Sequence, residues 1–465
     1  MSSQATEDQA AERPGPAFDR SNRMRARAHS IIPGGSHTYA KGDDQYPVLS
    51  PGFIARGAGC HVWDVDGNEY IEYGMGNRAV GLGHAYPPVV AAAREAMAVG
   101  SNFTRPHHLE IDCAERFLEL IEGAEMVKFC KDGSDATSGA VRLARAYTGR
   151  EMIACCADHP FFSTDDWFIG TTPVNSGVPE QIRQLTATFR YGDLASARAV
   201  FARYPGKIAG LILEPSRGDD PPRGYLQELR NLCHDNGALL IFDEMITGFR
   251  WHTGGAQRLY GVVPDLSCFG KALGNGFSLS ALAGKREFMR LGGLEHEDRP
   301  RVFLLSTTHG AETHALAAGI ATMNVYRSEP VIEHLYHQGR TLREGLEAAA
   351  RDQGVDGFFK VVGRDCCLAY AALDERGEPS QAFRTLFLQE TIRHGILAPS
   401  LVVGYTHRDQ DIERTVEAVH AALAVYARAL DGGVERFLVG RPSQVVYRRF
   451  NRSALPPRDA GTAGG

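Results

Sequence analysis

Residues 211–285 read LILEPSRGDDPPRGYLQELRNLCHDNGALLIFDEMITGFRWHTGGAQRLYGVVPDLSCFGKALGNGFSLSALAGK, and this stretch decides the fold. Two apolar runs, Leu211-Ile212-Leu213 and Ala238-Leu239-Leu240-Ile241-Phe242, each end in carboxylates. Between them Leu226, Leu229, Leu232 and Cys233 recur at helical spacing. The pattern predicts a strand, helix, strand unit of an α/β fold. In open parallel sheets chemistry sits beyond the carboxyl ends of the strands, so Glu214 and the pair Asp243-Glu244 are expected to face a cleft. Lys271 follows a third short apolar segment, with Gly270, Gly274 and Gly276 leaving room for a bulky partner on its amine.

An amine held in apolar surroundings loses proton affinity and becomes a nucleophile towards carbonyls, as Schiff-base chemistry requires. A buried aspartate nearby can keep a pyridinium nitrogen protonated, the arrangement that pyridoxal phosphate needs. Each feature alone has a plainer explanation: a lysine in a glycine-rich loop is ordinarily solvated, and Asp-Glu after a strand is ordinarily a helix cap. The ordered set is far more specific than its parts.

Aromatic content of 9% and charged content of 23% are those of an ordinary soluble globular protein. At 465 residues with 43% hydrophobic content it can bury a sizeable core in two or three domains. A net charge of −6 offers no electrostatic case for nucleic acid or an anionic membrane. No run approaches the roughly 18 to 20 apolar residues that span a bilayer, and MSSQATEDQAAERPGPAFDRSN lacks the apolar core of a secretory signal. Nine scattered cysteines without CxxC spacing suit reduced thiols in a cytoplasm, and no metal site is expected.

Residues 1–22 read as a disordered extension. Asp66-Gly67 within CHVWDVDGNEYIEYGMG predicts a hairpin, and Pro87-Pro88 open an Ala-rich helix. MVKFCKDGSDATSGAVRLARAYTGR predicts a strand, a turn and a helix whose first amides, at Gly133, Ser134 and Asp135, point at an anion such as phosphate. EMIACCA predicts another strand, and RVFLLSTTHGAETHALAAG a strand, a turn and a helix. The loop around His37, Tyr39, Lys41, Asp43 and Asp44 gathers polar groups within eight positions. His107-His108 lack convergent partners for a metal and read as cap and surface residues.

Through LILEP, IFDEMITGFR, PDLSCFGKALGNGFSLSALAGK, LGHAYP and much of residues 30–435, the chain resembles the class III pyridoxal-phosphate aminotransferases, especially the branch near glutamate-1-semialdehyde aminomutase. The resemblance implies fold type I, with a mostly parallel seven-stranded sheet in a large domain, 76–326. It also implies a small α+β domain built from 23–75 and 327–440, and a tail at 441–465. By the same resemblance Lys271 carries the cofactor and Asp243 contacts its pyridine nitrogen. Phe161 and Met245 lie on opposite ring faces, Glu214 lines the site, and Thr308 reaches the phosphate of the neighbouring subunit's cofactor, so that the homodimer shares its sites. Lys41 falls where the aminomutase has a substrate-binding arginine, Asn77 where it has a tryptophan, and Arg78 where it has a glycine.

These departures favour an aminotransferase moving an amino group from a donor to an aldehyde or ketone over the aminomutase, which moves it within one molecule. His37, Tyr39, Lys41 and Arg78 are the expected substrate contacts. They suit a hydroxylated acceptor such as a sugar or nucleoside aldehyde as well as an amino-acid semialdehyde. A pyridoxal-phosphate-dependent regulator would need a basic helix-turn-helix that the first 22 residues do not supply.

Overall fold

A computed structural model describes residues 16–159, 161–295 and 298–450. Its centre is a seven-stranded sheet in the order Met126–Cys130, Ser280–Gly284, Leu266–Phe269, Leu239–Asp243, Ile208–Leu213, Met152–Cys156 and Thr186–Phe189. All neighbours run parallel except Ser280–Gly284, which is antiparallel to both of its partners. Every residue of Ile208–Leu213 and Leu239–Asp243 is buried, the condition that makes central parallel strands near-continuous apolar runs. The predicted crossover helix is Tyr225–Asp235, packed through Leu226, Leu229 and Cys233.

A second sheet joins the two ends of the chain. Ile54–Ala58, His61–Asp64 and Glu69–Glu72 form antiparallel neighbours around the Asp66-Gly67 turn, and Ile396–Leu397 adds in parallel beside Glu69–Glu72. The hairpin Phe359–Arg364 with Cys367–Ala372 and the helices Val331–Asp352, Gln381–Arg393 and Asp409–Gly432 complete this part. One apolar core runs from Phe249, Phe269 and Leu273 beside the large sheet to Leu335, Phe387 and Tyr426 among these helices.

Two expectations change. The first helix, Asp19–Ile31, begins inside the stretch read as disordered. The amides of Arg20 and Ser21 donate to the Asp66 carboxylate at 2.6 and 2.9 Å, which ties the helix start to the hairpin turn. Residues 1–15 and 451–465, the outer parts of the expected extension and tail, lie outside the described residues. Residues 301–305 form no strand: Val302 makes one backbone bond to Leu291 at 2.9 Å, and Leu305 turns the chain at φ 50°. The seventh strand is Ser280–Gly284 instead.

Candidate active site

Glu214, Asp243 and Lys271 stand at the carboxyl ends of three adjacent strands, because Leu213 pairs with Phe242 and Asp243 with Cys268. Lys271 holds φ 48°, a left-handed conformation that costs a residue with a Cβ free energy and is kept where the surroundings dictate it. Asn275 supports the loop, accepting from the Leu82 amide at 2.9 Å and donating to Gly83 O at 3.1 Å. Burial lowers the Lys271 amine below the ordinary lysine range, against the pull of Asp243 and Glu214. Among the described residues no hydrogen bond or ion pair engages its Nζ.

Asp243 is 2% exposed, and its carboxyl is pushed up to about 7, first by burial and then by Glu214, with Lys271 opposing. Its Oδ1 accepts from the Met245 amide at 2.9 Å. Glu214 is also raised by burial, and its Oε2 is buried without a hydrogen-bond partner. Glu244 does not share the cleft. Successive strand residues point to opposite faces, and Glu244 turns away to accept from the amides of Ala256 and Gln257 at 2.8 and 2.7 Å and from the Thr247 hydroxyl.

The helix Gly133–Thr148 begins against Met245. An added Cβ at Gly133 would meet Met245 Sδ at 3.0 Å, and one at Gly270 would strike Ser280 Oγ and meet Met245 Sδ at 2.6 Å. Both glycines therefore keep space clear around Met245. The helix start leaves the Gly133 and Ser134 amides without acceptors among the described residues, whereas the Asp135 amide is taken by Asp132 Oδ1 at 3.1 Å. The Asp135 carboxylate accepts from the Lys131 amide at 3.2 Å, so Asp135 serves the cap of its own helix. Phe161 is 44% exposed and meets Phe168 edge to face at 5.9 Å, while Phe162 is buried in the core.

Arg78 is half-buried, and its charge acts on both Glu214 and Lys271. The other three expected substrate residues do not join it: His37, Lys41 and Tyr39, the last 67% exposed, lie on an outer loop of short 3-10 turns. Thr308 is exposed, with its carbonyl accepting from Asn102 at 3.0 Å.

Two residues escaped the sequence reading. His159 lies just past the strand Met152–Cys156 and is 3% exposed. Its Nδ1 accepts from the Glu214 amide at 3.0 Å, its Nε2 has no partner, and burial lowers it to about 3, so the ring is neutral. The rule that placed Glu214 beyond a strand end would have found it. Arg250 is fully buried and donates to Cys366 O, Val403 O and Arg78 O at 3.5, 3.2 and 3.3 Å, drawing three distant segments together. Its role is invisible without tertiary structure.

The residues fit pyridoxal phosphate: a half-buried lysine whose amine loses proton affinity, a buried aspartate at the adjacent strand end, and open amides at a long helix N-terminus for the phosphate. Fold and site define a pyridoxal-phosphate enzyme of fold type I. Residues 39–423 match the family described as Aminotransferase class-III, and the chain belongs to that family.

Among curated relatives, the glutamate-1-semialdehyde 2,1-aminomutase of Desulforamulus reducens is 35% identical, covering 89% of this chain and 99% of its own. That of Pelotomaculum thermopropionicum is also 35% identical, covering 87% and 97%. Among solved structures, the FumI protein of Sphingopyxis sp. superposes with a TM-score of 0.81 at 28% identity, covering 89% of this chain and 98% of its own. An omega-transaminase from Sphaerobacter thermophilus gives 0.78 at 26%, covering 90% and 100%. The chain is thus an enzyme of the pyridoxal-phosphate-dependent aminotransferase type. Among the described residues no helix is long and apolar enough to cross a membrane.

Proposed function

We propose that this enzyme transfers an amino group from an amino donor to an aldehyde or ketone, with a hydroxylated carbonyl of sugar or nucleoside type as the acceptor class. The observation that carries the transfer reading is the convergence of Lys271, Asp243 and Glu214 at adjacent strand ends. When bound, pyridoxal phosphate supplies an electron sink and stores the amino group between the two half-reactions. Lys271 would hold the cofactor through its amine, and once the donor amine has displaced it, the freed amine would carry the proton away from the donor's Cα, which its lowered proton affinity permits. Asp243 would hold the ring nitrogen's proton, and the Gly133 and Ser134 amides would hold the phosphate at the start of their helix. Phe161 and Met245 would flank the ring, and Asp135 keeps the helix cap in place.

The exposed Thr308, on a segment held by Asn102, suits contact with a neighbouring copy, so a homodimer with shared sites belongs to the proposal. His37, Tyr39 and Lys41, exposed and uncommitted, supply hydrogen bonds to a polar acceptor once the outer loop lies against it. Nine free, buried cysteines support the cytoplasm as its compartment.

The aminomutase reading draws on the 33–36% identity of several curated relatives that carry that name. The exposed Lys41 in place of an arginine fork weighs against it. The deciding assay uses purified enzyme with added cofactor and a panel of amino donors and carbonyl acceptors. Transfer between two molecules, abolished together with the yellow cofactor absorbance in Lys271→Ala, supports the proposal. Turnover of a single amino aldehyde without any co-substrate establishes the mutase, and an unimpaired Lys271→Ala protein ends both.

A further inference from the structure

Residues 75–78 form an unusual bend. Met75, Gly76, Asn77 and Arg78 hold φ of 42°, 58°, 57° and 70°, four consecutive left-handed residues of which three carry side chains. Each such residue costs roughly 1 kcal/mol or more, and such strain persists only where surrounding contacts impose it. Those contacts are present. The Arg78 amide donates to Gly74 O at 3.0 Å and the Val80 amide to Met75 O at 3.0 Å. The buried Arg250 guanidinium donates to Arg78 O at 3.3 Å, and Met75 is wholly buried.

The segment that follows the bend lies against the Lys271 loop: Asn275 accepts from the Leu82 amide at 2.9 Å and donates to Gly83 O at 3.1 Å, and a Cβ added at Gly81 would meet Ala272 Cβ at 3.3 Å. Arg78 is half-buried, yet among the described residues its side chain makes no hydrogen bond and no ion pair. Other interior arginines are committed: Arg343 to Asp365, Gly363 O and Val361 O, Arg250 to three carbonyls, Arg364 to Asp220 and Tyr336. Arg78 acts electrostatically on the Lys271 amine and on the Glu214 carboxyl, the latter having a buried oxygen without a partner. An uncommitted, planar fork of N–H donors on the segment packed against the Lys271 loop matches the geometry of an oxyanion on the molecule that the amine acts upon. Helix Gly133–Thr148 offers open amides for the cofactor's own phosphate, so that group leaves the arginine free.

We propose that Arg78 is the oxyanion receptor of the substrate pocket and that this enzyme therefore selects substrates bearing a carboxylate or phosphate. The inference rests on the transfer reading above and assigns part of its specificity. The exposed Lys41 then serves the outer loop, and the acid group is held deeper, beside Lys271. The oxyanion comes either with the amino donor or with the carbonyl acceptor, and the two half-reactions separate these sources.

The test has two arms on the cofactor-loaded enzyme, comparing the natural chain with Arg78→Gln and Arg78→Lys. In the first, calorimetric titration with unreactive glutarate and with inorganic phosphate reads the receptor without turnover. The natural chain is expected to bind at least one of them, Arg78→Gln at least tenfold more weakly, and Arg78→Lys in between, since lysine keeps the charge and loses the fork. In the second, single-turnover reactions compare L-alanine with ethylamine as donors, and acidic with uncharged aldehydes as acceptors. A ten- to hundredfold loss in kcat/KM confined to the acidic partner supports the proposal and shows which half-reaction brings the anion. Equal losses for charged and neutral partners, unchanged anion affinity in both variants, or no anion binding by the natural chain would overturn it. Failure of the transfer reading is recognised separately, by absent turnover in the natural chain, and the calorimetric arm stands without it.

Discussion

Asp243→Asn should make the cofactor-free protein more stable at alkaline pH and a worse enzyme. Burial lifts the Asp243 carboxyl to about 7 from its ordinary 3.8. A carboxyl raised by folding contributes fully to stability below its unfolded value and loses that contribution as pH rises through the folded value, because the unfolded chain ionises freely while the fold resists. At about 1.4 kcal/mol for each pH unit of that difference, keeping the ionised aspartate buried costs roughly 4 kcal/mol above neutrality. Asparagine keeps the shape and the acceptor for the Met245 amide, 2.9 Å away, but carries no charge to bury.

Denaturant midpoints of cofactor-free protein should therefore be similar for both chains near pH 4. They should diverge progressively from about pH 4 and level off above about pH 7, with the variant gaining up to roughly 4 kcal/mol. The loaded variant should lose amino transfer on the order of a hundredfold, since a neutral amide cannot stabilise a protonated ring nitrogen. A variant less stable than the natural chain at pH 8, or a difference that does not change with pH, would refute the reasoning.

Glu244→Ala should cost about 3–5 kcal/mol in the same denaturation assay, because the amides of Ala256 and Gln257 and the Thr247 hydroxyl lose a fully buried acceptor. Loss of less than about 1 kcal/mol would show that water replaces the carboxylate there. Gly270→Ala should weaken cofactor uptake, measured by absorbance titration, and cost about 1–3 kcal/mol, since its Cβ would strike Ser280 Oγ and Met245 Sδ. Combining it with Met245→Ala should recover only part of the loss, because the Ser280 contact remains. His159→Phe should leave the Glu214 amide unsatisfied and lower amino transfer with little change in fold content by circular dichroism. Unchanged kcat/KM would show that the His159 bond is dispensable.

The strand, helix, strand unit and its carboxylates were legible in the sequence because buried parallel strands demand unbroken apolar runs, and residues just past the end of such a run lie at the sheet's edge. The position of Lys271 just past a strand was legible for the same reason, and the helix start at Gly133 from its Gly-Ser-Asp turn, whose first amides a helix leaves open. Glu244 was misplaced by treating Asp243-Glu244 as one motif, although alternation along a strand sends neighbours to opposite faces. Asp135 was grouped with Gly133 and Ser134 because the sequence does not reveal that Asp132 closes over its amide.

By itself, then, the chain determined the α/β class and the order of its elements, which come from local hydrophobic pattern and spacing, while the roles of the lysine and aspartate were implied by a family resemblance. Tertiary structure alone decided which polar groups are free to act. Arg250 meets Arg78 across 172 positions and His159 meets Glu214 across 55. Whether a charge is paired, buried or open to a cleft depends on neighbours that far removed, and no periodicity in the sequence records them.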